Sequence, residues 1–434
     1  MHVKEGKYMK TYEVQEQAES FILVGLERPE VLIDIDGSLD ELNELVKTSG
    51  GISVDRLIQK RERPHPGHYL GKGKVEELSD LISLHNATGI VCDDELSNTQ
   101  IRNLSDILGV KVVDRTLIIL DIFANQASSA EGKAQVELAQ QRYRLSHLTG
   151  LGKSLSRLGG GIGTRGPGEK KLETDRRHIR RRIEELEEEL RTIETHRNVQ
   201  REKRSRSAQV VLSLVGYTNA GKSTLMNALT GAGVFESGKL FATLDTTTRQ
   251  LELSGGSTVL LSDTVGFIHK LPHNLVKAFR STLDELKHSD IIIHVVDSSN
   301  PARSQHMKVV YDTMDQLDCG AKPVICALNK ADINTDLPYP MDSRAEKTLF
   351  LSAKTGQNID ALMSEIEALI NGMRLKVNAV IPYTEGTLMN RVREKCELIK
   401  EEYTESGIYI EAFVDEEMKG RINKFILPNE SNEE

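Results

Sequence analysis

The chain has 434 residues, 38% apolar and 28% charged, with a net charge of −9 and four cysteines. That length exceeds one compact domain and predicts three or four. The apolar fraction suits a soluble protein, no apolar run approaches the ~20 residues of a membrane span, and the acidic balance excludes a generic polycation. Cys92, Cys319, Cys326 and Cys396 show no disulfide or metal-ligand spacing, and three of them lie in apolar surroundings as small core residues. Met1 to Gln17 is charged and lacks the apolar centre of a signal peptide. A soluble, cytoplasmic, monomeric protein is expected.

The first ~115 residues alternate strand and helix patterns. Strands are predicted over Ser20–Gly25, Gly51–Leu57, Gly89–Cys92 and Val110–Val113, and helices over Leu39–Lys47, Lys72–His85 and Asn98–Leu108. Crossovers of that length imply a parallel βαβ layer. Gly67, Gly71, Lys72, Gly73 and Lys74 cluster where a helix opens. They read equally as a contact for phosphate or RNA backbone and as a solvated helix start, without the spacing of a second catalytic loop.

From Thr116 to Arg206 helices take over. Leu172, Ile179, Ile183, Leu186, Leu190 and Ile193 recur at heptad-like steps, a seam that needs a partner helix. The expected partner runs through Val136, Ala139, Tyr143 and Leu148, which makes a helical hairpin. Its tip, Gly159-Gly160-Gly161-Ile162-Gly163-Thr164-Arg165-Gly166-Pro167-Gly168, is too glycine-rich to fold alone. Between Arg142 and Arg182 twelve Lys and Arg stand against three acids, a local +9 in a chain of −9. A solvated helix face, balanced by Glu184–Glu189, accounts for the far helix but not for a basic, glycine-rich tip. Concentrated basic charge attracts phosphate backbone by counterion release, so RNA contact is assigned to Arg157, Gly159, Gly160, Gly161, Arg165, Lys170, Arg176 and Arg177. Glycines there would let the backbone enter a narrow RNA cavity.

Residues 207 to 372 carry the chemistry. Gly216-Tyr217-Thr218-Asn219-Ala220-Gly221-Lys222-Ser223 follows the apolar run Val210–Val215 and opens the helical pattern Thr224–Leu229. That is the strand–loop–helix setting of a phosphate-binding loop. Its backbone N–H groups and helix N-terminus suit phosphates, Lys222 reaches the β- and γ-phosphates, and the Ser223 hydroxyl binds Mg2+. Asp263-Thr264-Val265-Gly266 ends the next apolar strand: Asp263 is placed to hold Mg2+ through water, and the Gly266 N–H to sense the γ-phosphate. Lys222, Asp263 and Gly266 are the expected catalytic groups. In the switch-like run Phe241–Arg249, Thr243 is the first choice for a metal-shell threonine, with Thr246, Thr247 and Thr248 as alternatives. Asn329-Lys330-Ala331-Asp332 follows the strand pattern Pro323–Leu328. The Asp332 carboxylate can accept from N1–H and the exocyclic amine of guanine, a donor pair that adenine lacks, so the nucleotide is GTP or GDP. Ser352-Ala353-Lys354 is placed to close over the base.

Two residues bear on mechanism. Phe267 stands where Ras-like GTPases carry a water-orienting glutamine, so slow intrinsic turnover that awaits a partner is expected; Phe267 itself can simply pack under the switch. Asn219 is read evenly as a holder of K+ near the β–γ bridge and as a holder of the loop's own backbone. Beyond Gly372, Arg374–Tyr383 and Gly407–Val414 read as strands around a helix from Leu388 to Glu402, and Pro428–Glu434 as a disordered tail.

Val113-Asp114-Arg115-Thr116, Asp121-Ile122-Phe123-Ala124, the run Glu131–Gln140, the run Gly159–Glu169 and Asp175-Arg176-Arg177 resemble the HflX family of ribosome-associated GTPases. Arg63-Pro64 and the run Gly71–Leu78 resemble its N-terminal domain. The resemblance spans roughly residues 15 to 370. It implies a GTPase that binds the large ribosomal subunit and splits or rescues stalled ribosomes, with the hairpin tip toward the peptidyl-transferase region. Thr246 replaces the family's usual switch proline and Lys170 a common threonine. A ribosome-assembly GTPase, or an RNA-binding antibiotic-resistance factor with hydrolysis secondary, are the alternatives. The expected architecture is a multidomain α/β protein. It comprises an N-terminal parallel βαβ domain (1–115), a helical hairpin with a basic tip (116–206), a doubly wound P-loop GTPase domain (207–372) and a small C-terminal α+β domain (373–434).

Overall fold

A computed structural model describes residues 18–29, 33–148, 167–206, 210–231, 240–241, 244, 247–254, 258–270, 284–320, 322–333, 342–373, 375–414 and 416–427. The chain forms two compact units that divide between Ile119 and Leu120.

In the first unit β1 (Ser20–Glu27), α1 (Ile35–Thr48), β2 (Ile52–Lys60), α2 (Lys72–His85), β3 (Gly89–Cys92), α3 (Asn98–Leu108) and β4 (Lys111–Asp114) alternate. The strands lie parallel in the order β2-β1-β3-β4. Six consecutive residues of β1 are buried, as a strand covered on both faces requires. Helix α1 begins four residues before the predicted Leu39, because the Asp34 carboxylate accepts the Gly37 N–H at 2.7 Å and caps it there. A Ser97–Gln100 capping box starts α3. The Arg115 guanidinium, 1% exposed, lies 2.8 Å from Asp93 and is also paired with Glu41. The sequence carries it in the run Val113–Thr116, and its burial fixes the end of β4 against the turn after β3.

The second unit holds the helices α5 (Ala130–Leu148) and α6 (Pro167–Arg206), preceded by α4 (Arg115–Gln126), which straddles the division. Helices α5 and α6 pack as the predicted hairpin, with one difference. The shared cluster is Ala134 and Leu138 against Leu186, flanked by Ile183 and Leu190. The expected Val136, Ala139 and Tyr143 are buried but lie outside that cluster. Polar Gln135 and Glu137 interrupt the α5 pattern and obscured which stripe faces α6. Glu137 accepts Arg182 at 2.7 Å, and Glu187 pairs with Arg142 at 2.7 Å. Arg181 also lies 3.6 Å from Glu185, so among the described residues three of the twelve basic residues are matched by acids of the hairpin.

The central sheet runs β10-β9-β8-β5-β7-β6, built from β5 (Val211–Gly216), β6 (Thr247–Glu252), β7 (Thr258–Asp263), β8 (Ile291–Asp297), β9 (Val324–Asn329) and β10 (Lys347–Phe350). All neighbours are parallel except β6–β7. Helices α7 (Lys222–Thr230), α8 (Arg303–Gln316) and α9 (Ile359–Met373) belong to the same fold. Leu225, Met226, Leu362, Ile366 and Ile370 join strand residues such as Leu214, Ile293 and Ile325 in the main core.

The C-terminal segment corrects the sequence reading. Helix α10 (Gly386–Lys395) stops before Cys396, and Glu397–Thr404 is a strand, β12, where helix was expected to Glu402. With β11 (Leu375–Ile381) and β13 (Gly407–Val414) it forms an antiparallel sheet of order β11-β13-β12, followed by α11 (Glu416–Ile422). The Glu- and Lys-rich composition of Glu397–Glu402 favours helix. Pairing of β12 with β13 across the tight turn at Glu405–Ser406 overrides it. The tail from Pro428 lies outside the described residues.

Candidate nucleotide-binding site

The sheet brings the sequence motifs to one edge. Gly216 ends β5, Asp263 ends β7, Asn329 ends β9, and Ser352 follows β10 by two residues. Ligands of open α/β sheets collect at these carboxyl ends.

Two glycines permit the phosphate loop its course. A Cβ on Gly216 would stand 2.2 Å from the Val295 carbonyl oxygen. A Cβ on Gly221, at φ 95°, would stand 2.2 Å from the Asn329 amide nitrogen. Neither position tolerates a side chain without displacing the neighbouring strand ends. Asn219, at φ 59°, is the exposed crest of the loop, and Ala220 below it is buried. Tyr217 is buried, stacks on His306 with ring centres 3.8 Å apart, and accepts the His269 N–H at 2.7 Å.

Lys222, Ser223 and Thr224 form the first turn of α7. The Lys222 ammonium is folded back onto the carbonyls of Gly216 (3.2 Å) and Tyr217 (3.1 Å). The Ser223 hydroxyl donates to Asp263 at 3.0 Å. Thr264 is buried and donates to the Leu214 carbonyl at 2.7 Å. Val265 and Gly266 continue beneath the loop, and a Cβ on Gly266 would lie 3.0 Å from Thr218 and 3.1 Å from the Lys222 ammonium. Phe267, 2% exposed, exchanges backbone hydrogen bonds with the loop: Thr218 N–H to Phe267 O at 2.8 Å, and Phe267 N–H to Gly216 O at 3.1 Å. It packs under the phosphate loop.

Asn329 joins the phosphate side to the base side. Its amide donates to Ala220 O at 2.9 Å, and its side-chain oxygen accepts the Ala353 N–H at 2.9 Å. Lys330, at φ 62°, extends to Asp297 at 2.7 Å. Ser352 is fully buried, whereas Asp332 and Lys354 are exposed at the rim. An exposed Asp332 beside a buried Asn329 leaves one carboxylate free to face a planar base while the scaffold behind it stays fixed.

The chain matches three sequence families: GTP-binding GTPase N-terminal over residues 36–124, GTP-binding GTPase Middle Region over 126–204, and 50S ribosome-binding GTPase over 211–330. It is 52% identical over 406 residues to "GTPase HflX" of Lacrimispora saccharolytica, covering 94% of this chain and 96% of that one. The chain belongs to the HflX family of GTPases. It is also 37% identical to "GTPase HflX" of Escherichia coli, covering 85% of this chain and 87% of that one. A solved GTP-binding protein from Sulfolobus solfataricus in complex with GDP aligns at 24% identity and TM-score 0.42, covering 81% of this chain and 98% of that one.

As an HflX-family member the protein is a GTP-hydrolysing enzyme of α/β fold with a P-loop domain. Not every expected contact falls where the structure describes it. Thr243 and Thr246 lie outside the described residues, and Thr247 and Thr248 open β6. Of the residues expected to touch RNA, Arg157, Gly159, Gly160, Gly161 and Arg165 lie outside as well. Lys170 is described only as part of the α6 backbone. Arg176 is half-buried and donates to Leu148 O at 3.3 Å, while Arg177 is exposed. Among the described residues no helix is long and apolar enough to cross a membrane.

Sequence reasoning missed Asp297 and His306. Asp297 ends the apolar strand β8, the same position that marked Asp263, and that signal was available. His306 carried none, because its stacking on Tyr217 is set by how α8 packs.

Burial lowers the Lys222 ammonium to about 8, against the opposing pull of Asp263. Bound phosphates favour the charged form, so above that pH nucleotide binding must take up a proton. GDP affinity is expected to be flat below about pH 8 and to fall above it by up to ~10-fold per pH unit, as read by calorimetric titration. In the free protein the sign reverses: the unfolded chain holds this proton up to about pH 10.4, so stability rises with pH across that window. A pH-independent GDP affinity between about pH 7 and 9.5 would contradict the buried ammonium.

Proposed function

We propose that this protein is a GTP-timed factor of the large ribosomal subunit that splits or rescues stalled ribosomes. The reading retains four parts: residues 1–115, the hairpin 116–206, the GTPase domain 207–372 and the appendage 373–434. Within the third, Gly216 to Thr224 cradle the phosphates, with Lys222 on the β- and γ-oxygens. Ser223 and Asp263 are adjacent oxygen donors at the loop, the set that Mg2+ takes together with phosphate oxygens. Mg2+ would be held by Ser223 directly, by Asp263 through water and by Thr243. It supplies charge neutralisation at the β–γ bridge. Gly266 donates its N–H toward the γ-phosphate, and Thr264 and Val265 hold it there. Asn329, Lys330 and Asp332 read guanine, with Ser352, Ala353 and Lys354 behind the base.

The observation that carries the ribosomal part is the basic, glycine-rich segment between α5 and α6. Between Arg142 and Arg182 twelve Lys and Arg stand against three acids, and Arg157, Arg165, Lys170 and Arg177 carry that charge to the glycine-rich end. That end meets phosphate backbone of the large-subunit RNA near the peptidyl-transferase region. The same reading makes the protein cytoplasmic and monomeric.

Buried Phe267 supplies no water-orienting group. Turnover is therefore expected to be slow alone and to rise ~10³- to 10⁵-fold with large subunits. If the exposed Asn219 helps hold K+, hydrolysis is faster in K+ than in Na+ buffer. Equal rates in the two buffers remove that cofactor. Sucrose-gradient sedimentation tests the main proposal: 70S particles should separate into subunits with the protein and a non-hydrolysable GTP analogue, and stay intact when residues 157–168 are deleted. Intact 70S particles with the full chain, alongside binding of precursor particles, would instead mark an assembly factor.

A further inference from the structure

On β8 and β9, beside the strand that leads into the phosphate loop, lies a polar group that the proposed nucleotide chemistry does not use. His294 on β8 and Cys326 on β9 are register partners, 1% and 0% exposed. Asp342 reaches them from the segment that precedes β10, its side chain 2% exposed. One ligand atom from each of the three lies within 4.8 Å of the other two, and His294 Nδ1 is 3.9 Å from the Asp342 carboxylate. That Nδ1 is buried without a hydrogen-bond partner. An unpaired buried nitrogen is destabilising, and native proteins rarely leave one without a purpose.

We propose that His294, Cys326 and Asp342 form a three-residue site for a borderline-soft divalent cation, Zn2+ being the best fit, with water in the fourth position. The donor set is nitrogen, sulfur and carboxylate oxygen, which suits Zn2+ and does not suit Mg2+. Tetrahedral Zn2+ places such donors about 3.4–3.6 Å apart, so from separations of up to 4.8 Å the cluster must close by up to about 1.4 Å. Asp342 lies outside the regular elements, between β9 and β10, and is the ligand able to make that move.

Charge favours the assignment. Neutral imidazole, thiolate and carboxylate bring −2 to a +2 ion, so the occupied site buries no net charge, and the Cys326 thiol releases its proton to solvent as the metal binds. The surrounding groups are built as a supporting shell. The Tyr311 hydroxyl donates to Asp342 at 2.5 Å and the Arg344 N–H at 3.0 Å, orienting the carboxylate as partners of ligating carboxylates do. Tyr311 also sets its ring edge-on against His294 at 4.9 Å. An occupied site would tie β8 and β9 to the segment entering β10, the strand that precedes Ser352 and Ala353, and so would stiffen the base side of the nucleotide site.

The test uses the full chain, stripped with a chelator and then titrated with Co2+ alone. One equivalent should bind with a thiolate-to-cobalt charge-transfer band, should release close to one proton as seen from the buffer dependence of the binding heat, and should be displaced by Zn2+. Cys326→Ser should abolish the band, and Asp342→Asn should weaken binding strongly. Tyr311→Phe, which removes only a positioning contact, should weaken it ~10- to 100-fold. Retained GDP binding and far-UV spectra in each variant show that it has folded. Absence of the band in the wild-type chain, or an unchanged band in folded Cys326→Ser, overturns the proposal and leaves the three residues as a metal-free polar contact.

Discussion

Asp332→Asn is expected to lower GTP and GDP affinity by ~10³- to 10⁴-fold while leaving the fold intact. The carboxylate stands exposed at the rim, so its replacement opens no cavity and breaks none of the contacts made by Asn329. The loss arises at the base. Two acceptor oxygens that meet two guanine donors become one acceptor and one donor, and the new amide faces the N1–H or the exocyclic amine like with like. Sites that read hydrogen bonds discriminate on this scale because a mismatched buried group is left unpaired. Xanthine, which has a carbonyl in place of the exocyclic amine, restores the match, so XTP should bind the variant better than GTP. Competition binding of GDP, XDP and ADP measures it; retention of guanine preference in the folded variant would show that another group reads the base.

Lys222→Ala should lower kcat/KM for GTP by at least ~10²- to 10³-fold. The ammonium is the charged group at the centre of the loop, 7% exposed and held by the Gly216 and Tyr217 carbonyls. Those carbonyls keep it poised where β- and γ-oxygens arrive, so little reorganisation is needed when charge develops on the phosphoryl group. Truncation also frees Ser223 and Asp263 from a neighbouring positive charge, and the Mg2+ shell they would form then faces the phosphates alone. Single-turnover hydrolysis at saturating GTP separates lost binding from lost chemistry. A variant whose single-turnover rate matches the wild type would place the catalytic charge elsewhere.

What the sequence revealed and what it hid follow from the range of the interactions. The phosphate loop is local: its glycines, Lys222 and Ser223 lie within eight residues of chain, so spacing alone determines where the backbone donors point. The strand-end carboxylates are nearly as legible, since an apolar strand that stops at an Asp is visible without any partner. The Asn329 bridge between Ala220 and Ala353 is not local. It spans 109 residues in one direction and 24 in the other, and nothing in Asn329 itself announces both partners. The same limit explains β12. Its glutamates and lysines favour helix taken alone, and only the register with β13 makes a strand of them. The hairpin stripe lies between these cases: its heptad on α6 was readable, while the Ala134 and Leu138 surface on α5 needed the partner helix to be identified. The His294, Cys326 and Asp342 group was beyond reach, because a histidine, a cysteine and an aspartate 32 and 16 residues apart share no spacing pattern.

In the proposed function GTP gates binding of this protein to the large ribosomal subunit through the hairpin tip. Co-sedimentation with purified large subunits tests it most directly, comparing a non-hydrolysable GTP analogue, GDP and no nucleotide, for the full chain and for the chain lacking residues 157–168. Near-stoichiometric pelleting of the full chain is expected with the analogue, little with GDP, a steep loss with added salt, and failure of the deleted form throughout. Equal pelleting with GDP and the analogue, or undiminished binding without the tip, would contradict it.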